Sequence, residues 1–108
     1  MDDMKYAQDL IALAPLEAKA FLGLKAAAER EDGAIPAKYR ELVSIGVALT
    51  TQCSYCIDVH TKNALEAGAT REEIAEVVFI AAALRAGAAV GHGLLAMKKA
   101  SESWPRSA

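Results

Sequence analysis

Apolar positions recur at helical spacing along most of the chain and divide it into six segments. Residues 3 to 13, with Met4, Ala7, Leu10 and Ile11 and then Ala14, predict a short amphipathic helix. Pro15 suits the first turn of a second helix, running through Leu16, Ala20, Leu22 and Leu24 to about Arg30. The polar run Glu29 to Gly33 follows, with Gly33 as the expected terminator. Pro36 opens a third helix that is polar to Glu41 and apolar nearly all round from Leu42 to Leu49. A helix apolar on every side is central or lies in an interface between copies. Thr50-Thr51-Gln52 has low helix propensity and marks a turn. The fourth helix then runs to Glu66, with Gly68 as its stop signal. Thr70 and Glu73 form a capping box at the head of the fifth, strongly apolar through Ile74, Val77, Val78, Ile80, Ala81 and Leu84. Gly87 is expected to break or kink it. A sixth helix follows from Ala88 to about Ala100, its Gly91 and Gly93 permitting close helix contact. Residues 101–108 read as a loose tail.

Composition agrees with an all-α single domain of five to six helices over residues 1–108. Hydrophobic residues make up 54% of the chain, 24 of them alanine, and only three residues are proline. Two helices apolar all round exceed what 108 residues readily hide, which predicts a homo-oligomer. The net charge of −2 supplies no basic field for phosphate backbones, so nucleic-acid binding is not expected. The acidic start, Met1 to Lys5, does not read as a signal peptide. The longest strictly apolar run, Val77 to Leu84, is far short of a membrane span, and a cytoplasmic protein is expected. In that reducing compartment a close cysteine pair serves catalysis or metal binding more often than structure.

Both cysteines and one of the two histidines fall within Cys53-Ser54-Tyr55-Cys56-Ile57-Asp58-Val59-His60. With a helix from Ser54, Cys53, Cys56 and His60 share one face. A thiol reacts as thiolate, and a free cysteine with a pKa of roughly 8.5 is mostly protonated at neutral pH. Two features favour ionisation here. Cys53 sits at a helix N-terminus, and Cys56 lies four residues before His60, which can take its proton. Once one sulfur is oxidised, the other can condense with it to a Cys53–Cys56 disulfide. The imidazole needs a partner that orients it, and Glu41 is the candidate. An antiparallel helix pair turning near Gln52 would bring Glu41 opposite His60. Asp58, nearer in sequence, faces away.

Glu41, eleven residues, Cys53-x-x-Cys56, three residues and His60 resemble the signature of alkylhydroperoxidase D-like proteins of the carboxymuconolactone decarboxylase superfamily. The resemblance covers roughly residues 20 to 100. It includes Pro36 to Leu42, Gly68, Glu72-Glu73-Ile74 and Ala81-Ala82-Ala83. It implies an all-helical fold assembled as trimers or hexamers and reduction of peroxides by the dithiol. Carried over, Cys56 is the peroxidatic nucleophile, Cys53 the resolving thiol, and His60 with Glu41 a proton relay. A plain helix-dipole reading favours Cys53 as nucleophile instead; Cys56 is preferred because His60 is one turn from it. The better-studied peroxidases of this group carry histidine where this chain has Tyr55, which donates a hydrogen bond but does not share a proton near neutral pH.

The expected activity is therefore thiol-dependent peroxide reduction. Its partners are a peroxide and an external dithiol or redox-protein reductant, and it needs no metal, haem or flavin cofactor. A protein disulfide oxidoreductase is the alternative within enzymes, and a redox- or metal-sensing oligomer the alternative outside them. Cys53, Cys56, His60 and His92 add up to four zinc ligands, but His92 lacks the second close ligand that structural zinc sites use. Flanked by Gly91 and Gly93, His92 reads first as a packing histidine that could line the site.

Overall fold

The computed structural model describes residues 3–103. Among these the chain is all-α: a 3-10 turn at Asp3–Tyr6, then α1 (Ala7–Leu13), α2 (Pro15–Ala28), α3 (Ala37–Thr51), α4 (Ser54–Glu66) and α5 (Arg71–Ser103). It falls into two compact units, one up to Pro36 and one from Ala37 onward.

In the first unit α1 and α2 lie against each other, with Pro15 in the first turn of α2, where its missing N–H costs nothing. The second helix ends at Ala28, five residues before the expected terminator. Glu29 caps it, and Arg30 donates to the Ala27 carbonyl at 2.7 Å.

In the second unit α3 packs against both α4 and α5. Its apolar stretch supplies the buried Leu42, Ile45 and Ala48; Leu42 and Ile45 cluster with Ala64 of α4 and Ala69 of the following loop, and Ala81 of α5 is buried as well. Leu49, Ile74 and Val77 pack around Leu42, Ile45, Ala64 and Ala69. Alanines at these positions let the helices approach closely, and Ile45 is the largest fully buried side chain. The same helix leaves Val43 and Val47 more than half exposed, so only part of its apolar surface is covered within one chain.

Two helix ends are built alike. After α4, Gly68 takes φ +97°, its N–H bonds to Leu65 O at 3.1 Å, and Ala69 N–H bonds to Ala64 O at 2.9 Å. This is a Schellman motif with the glycine where a left-handed residue is required. After α3 the same six-to-one bond runs from Cys53 N–H to Ala48 O at 3.0 Å, but the left-handed residue is Gln52 at φ +58°. The capping box at Thr70 is reciprocal: Glu73 N–H donates to Thr70 Oγ1 at 3.1 Å, and Thr70 N–H to Glu73 Oε1 at 2.8 Å.

The expected break at Gly87 is absent. A single helix of 33 residues, about 50 Å long, runs from Arg71 to Ser103. Each of its three interior glycines, Gly87, Gly91 and Gly93, costs about 1 kcal/mol relative to alanine, and the surrounding alanine and leucine positions carry the helix through them. Ser101 to Ser103 belong to this helix rather than to a tail; the rest of the expected tail lies outside the described residues. Beyond Ala81 nearly every residue of α5 is exposed, including Leu84, Val90, Leu94, Leu95 and Met97. With an 18-residue window of mean hydropathy 1.8, α5 is long and apolar enough to cross a membrane by length and composition alone. The core helix of a soluble protein passes the same test.

Candidate redox site

Cys53 is the residue before α4 and caps it. Its backbone is extended, at φ −94° and ψ 96°, and its Sγ accepts from the Cys56 N–H at 3.3 Å. Cys53 and Cys56 are joined as a disulfide, with Cα atoms 5.3 Å apart. The pair thus occupies the first turn of a helix, where backbone amides point outward and favour negative charge on sulfur once the bond is reduced.

One turn beyond Cys56, His60 reaches across to α3. Its Nδ1 lies 2.5 Å from Glu41 Oε2, and both side chains are largely buried, at 12% and 15% exposure. An ionised carboxylate only accepts, so opposite an ionised Glu41 the imidazole donates from Nδ1. The geometry follows from the Gln52 turn. Ala48 meets Cys53 and Glu41 meets His60, the register of two helices returning antiparallel about one point. Four expected residues are therefore placed by one helical hairpin: Cys53 and Cys56 bonded at its tight end, Glu41 and His60 paired further along.

The carboxymuconolactone decarboxylase family model matches residues 15–99 of this chain. The chain belongs to that family. The family includes enzymes, and the close Cys53–Cys56 pair is compatible with redox function. A Paracoccus denitrificans relative, named as uncharacterized protein 4 in the cox locus, is 46% identical over 61 residues. That match is 56% of this chain and 55% of the relative. An uncharacterized protein of Cupriavidus necator is 41% identical over 66 residues, 61% of this chain and 58% of its own. The chain thus spans a little over half the length of these curated relatives. Two solved structures share the fold at 30% identity. An apo carboxymuconolactone decarboxylase family protein from Legionella pneumophila matches with TM-score 0.67, over 77% of this chain and 73% of its own. A protein from Methanobacterium thermoautotrophicum matches with TM-score 0.70, over 80% and 96%.

His92 lies on the exposed half of α5. Among the described residues no group of three His, Cys, Asp or Glu side chains is placed to hold a metal ion. Tyr55, between the cysteines, is 38% exposed. Sequence reasoning missed one residue beside the site. Arg85 of α5 donates from Nη1 to the Thr50 carbonyl at 2.7 Å, against the end of α3 that leads into Cys53. Its signal was present: Arg85 is the single Asp, Glu, Lys or Arg between Glu76 and Lys98.

Proposed function

We propose that this member of the carboxymuconolactone decarboxylase family is a thiol-dependent peroxidase that reduces hydroperoxides through a dithiol–disulfide cycle of Cys53 and Cys56. The observation that carries this reading is the Glu41–His60 contact at 2.5 Å, one helical turn from Cys56. A carboxylate that fixes the tautomer of a histidine beside a thiol is what a proton relay for a nucleophilic cysteine requires.

In this cycle His60 Nε2 takes the Cys56 proton. The thiolate attacks one peroxide oxygen; the S–O bond forms and the O–O bond breaks. The leaving alkoxide takes a proton from His60 and departs as alcohol, leaving Cys56 as sulfenic acid. Cys53 then attacks the Cys56 sulfur, water leaves, and the disulfide forms. An external dithiol or redox protein returns two electrons and two protons. The cycle uses no metal or organic cofactor, and it is placed in the cytoplasm, where thiol reductants keep the pair turning over.

Assembly belongs to the same reading. Phe79, Leu84, Val90 and Leu94 are each more than two-thirds exposed along one helix, and Val43 and Val47 of α3, themselves more than half exposed, line a groove with Leu84. Exposed apolar side chains in this number mark an interface. A homotrimer or homohexamer covers them.

The test supplies a hydroperoxide and a dithiol reductant to wild type, Cys56→Ser and Cys53→Ser. Peroxide loss disappears in Cys56→Ser, and turnover fails after one equivalent in Cys53→Ser. Peroxide consumption that survives in Cys56→Ser rules out the assignment. Rapid reduction of a protein disulfide without peroxide turnover establishes a disulfide oxidoreductase instead.

A further inference from the structure

We propose that Arg85 is a positioning residue for the Cys53–Cys56 couple, holding the left-handed turn at Gln52 that sets Cys53 at the head of α4. This rests on the dithiol–disulfide reading above.

The turn from α3 to α4 is strained and heavily tied. A non-glycine residue at positive φ costs roughly 1–2 kcal/mol, and Gln52 sits at φ +58° where the equivalent turn after α4 uses glycine. Such a conformation persists where its surroundings over-determine it. Here the Ala48 carbonyl accepts from Cys53 N–H at 3.0 Å, and the Val47 carbonyl accepts from the Thr50 and Thr51 hydroxyls at 2.7 and 3.1 Å. All of these ties are local. The Thr50 carbonyl, one of the last four of α3 and so without a partner in its own helix, is held by Arg85, 35 residues away on α5. A charged donor makes the stronger kind of hydrogen bond and also offsets the negative pole at the end of α3.

The consequence is chemical. Closing the disulfide requires Cys53 Sγ to stay against the first turn of α4, where it accepts from Cys56 N–H. When the turn relaxes, Cys53 swings away and its effective concentration at Cys56 falls. Arg85 therefore favours the disulfide over the dithiol without touching either sulfur.

The experiment equilibrates the full chain with glutathione. Two thiols lose two electrons and two protons to form the disulfide, while one glutathione disulfide becomes two glutathione thiols. Wild type, Arg85→Met, Gln52→Gly and the double variant are compared; Arg85→Ala is run in parallel so that a folding defect of the methionine variant does not mask the result. Arg85→Met lowers the equilibrium constant for oxidation about threefold to tenfold, or about 15–30 mV. Glycine adopts the left-handed turn unaided, so the double variant returns to within about twofold of Gln52→Gly alone. An unchanged constant in both arginine variants overturns the proposal. A loss of equal size with and without the Gln52→Gly substitution does so too, because Arg85 would then act through helix docking and not through the turn. A wild type that forms no reversible disulfide fails the functional reading itself, and the positioning role with it.

Discussion

At the scale of the residue, Cys56 and Cys53 differ in what surrounds them. Cys53 has the helix N-terminus; Cys56 has His60 one turn on, oriented by Glu41. If the imidazole takes the Cys56 proton, His60→Ala raises the midpoint of thiolate formation at reduced Cys56, read by ultraviolet absorbance against pH. It also slows the reaction with hydroperoxide on the order of a hundredfold, the usual contribution of a positioned general base. An unchanged midpoint removes His60 from the mechanism. The pairing of Glu41 with His60 was legible because both its inputs are local, a turn signal at Thr50 to Gln52 and a fixed helical spacing on either side. The left-handed conformation of Gln52 was not legible, since glutamine carries no preference for it and only the bonds around it impose it.

At the scale of the element, helix ends decide where the site residues stand. The Thr70 cap and the Lys38–Glu73 ion pair, 3.0 Å across, tie the start of α5 to the start of α3. Thr70→Ala is expected to cost about 1 kcal/mol in denaturant unfolding. The hydrogen bond from the Thr70 amide, then Lys38, holds the Glu73 carboxyl below its ordinary value of 4.5. Its contribution to stability is therefore present above about pH 4.5 and is lost as pH falls through the lower folded value. Glu73, more than any other neighbour, pushes Lys38 above 10.5. That contribution is present below about pH 10.5 and lost as pH rises through the higher folded value. Glu73→Gln flattens both limbs of a stability-versus-pH curve; limbs identical to wild type show that the pair is too solvated to matter. The capping box was readable as a motif. The continuity of α5 was not, because Gly87, followed by Gly91 and Gly93, reads as a breaker while the helix-forming residues around these glycines outweigh their cost.

At the scale of the whole molecule, the second unit has a small core and a large open apolar surface. Its buried side chains are mostly alanine, with Leu42 and Ile45 the bulky ones, while α5 leaves one leucine and valine after another uncovered. Assembly of copies through this surface predicts a species larger than a monomer in sedimentation velocity, and Leu94→Glu shifts it toward the monomer. A wild-type monomer at micromolar concentration contradicts the assembly. The all-α class and the family were legible because alanine content, caps and the cysteine motif all act locally. The division at Pro36 into two units was not, since it depends on which helices bury side chains against each other.

The most direct test of the central claim is to find the oxygen. Reduced Cys53→Ser protein is treated with one equivalent of hydroperoxide in the presence of a sulfenic-acid trapping reagent, and the adduct is located by peptide mass spectrometry. A single adduct on Cys56, formed much more slowly in Cys53→Ser/His60→Ala, is the predicted result. No adduct on Cys56, with efficient trapping on Cys53 in the Cys56→Ser protein, contradicts it.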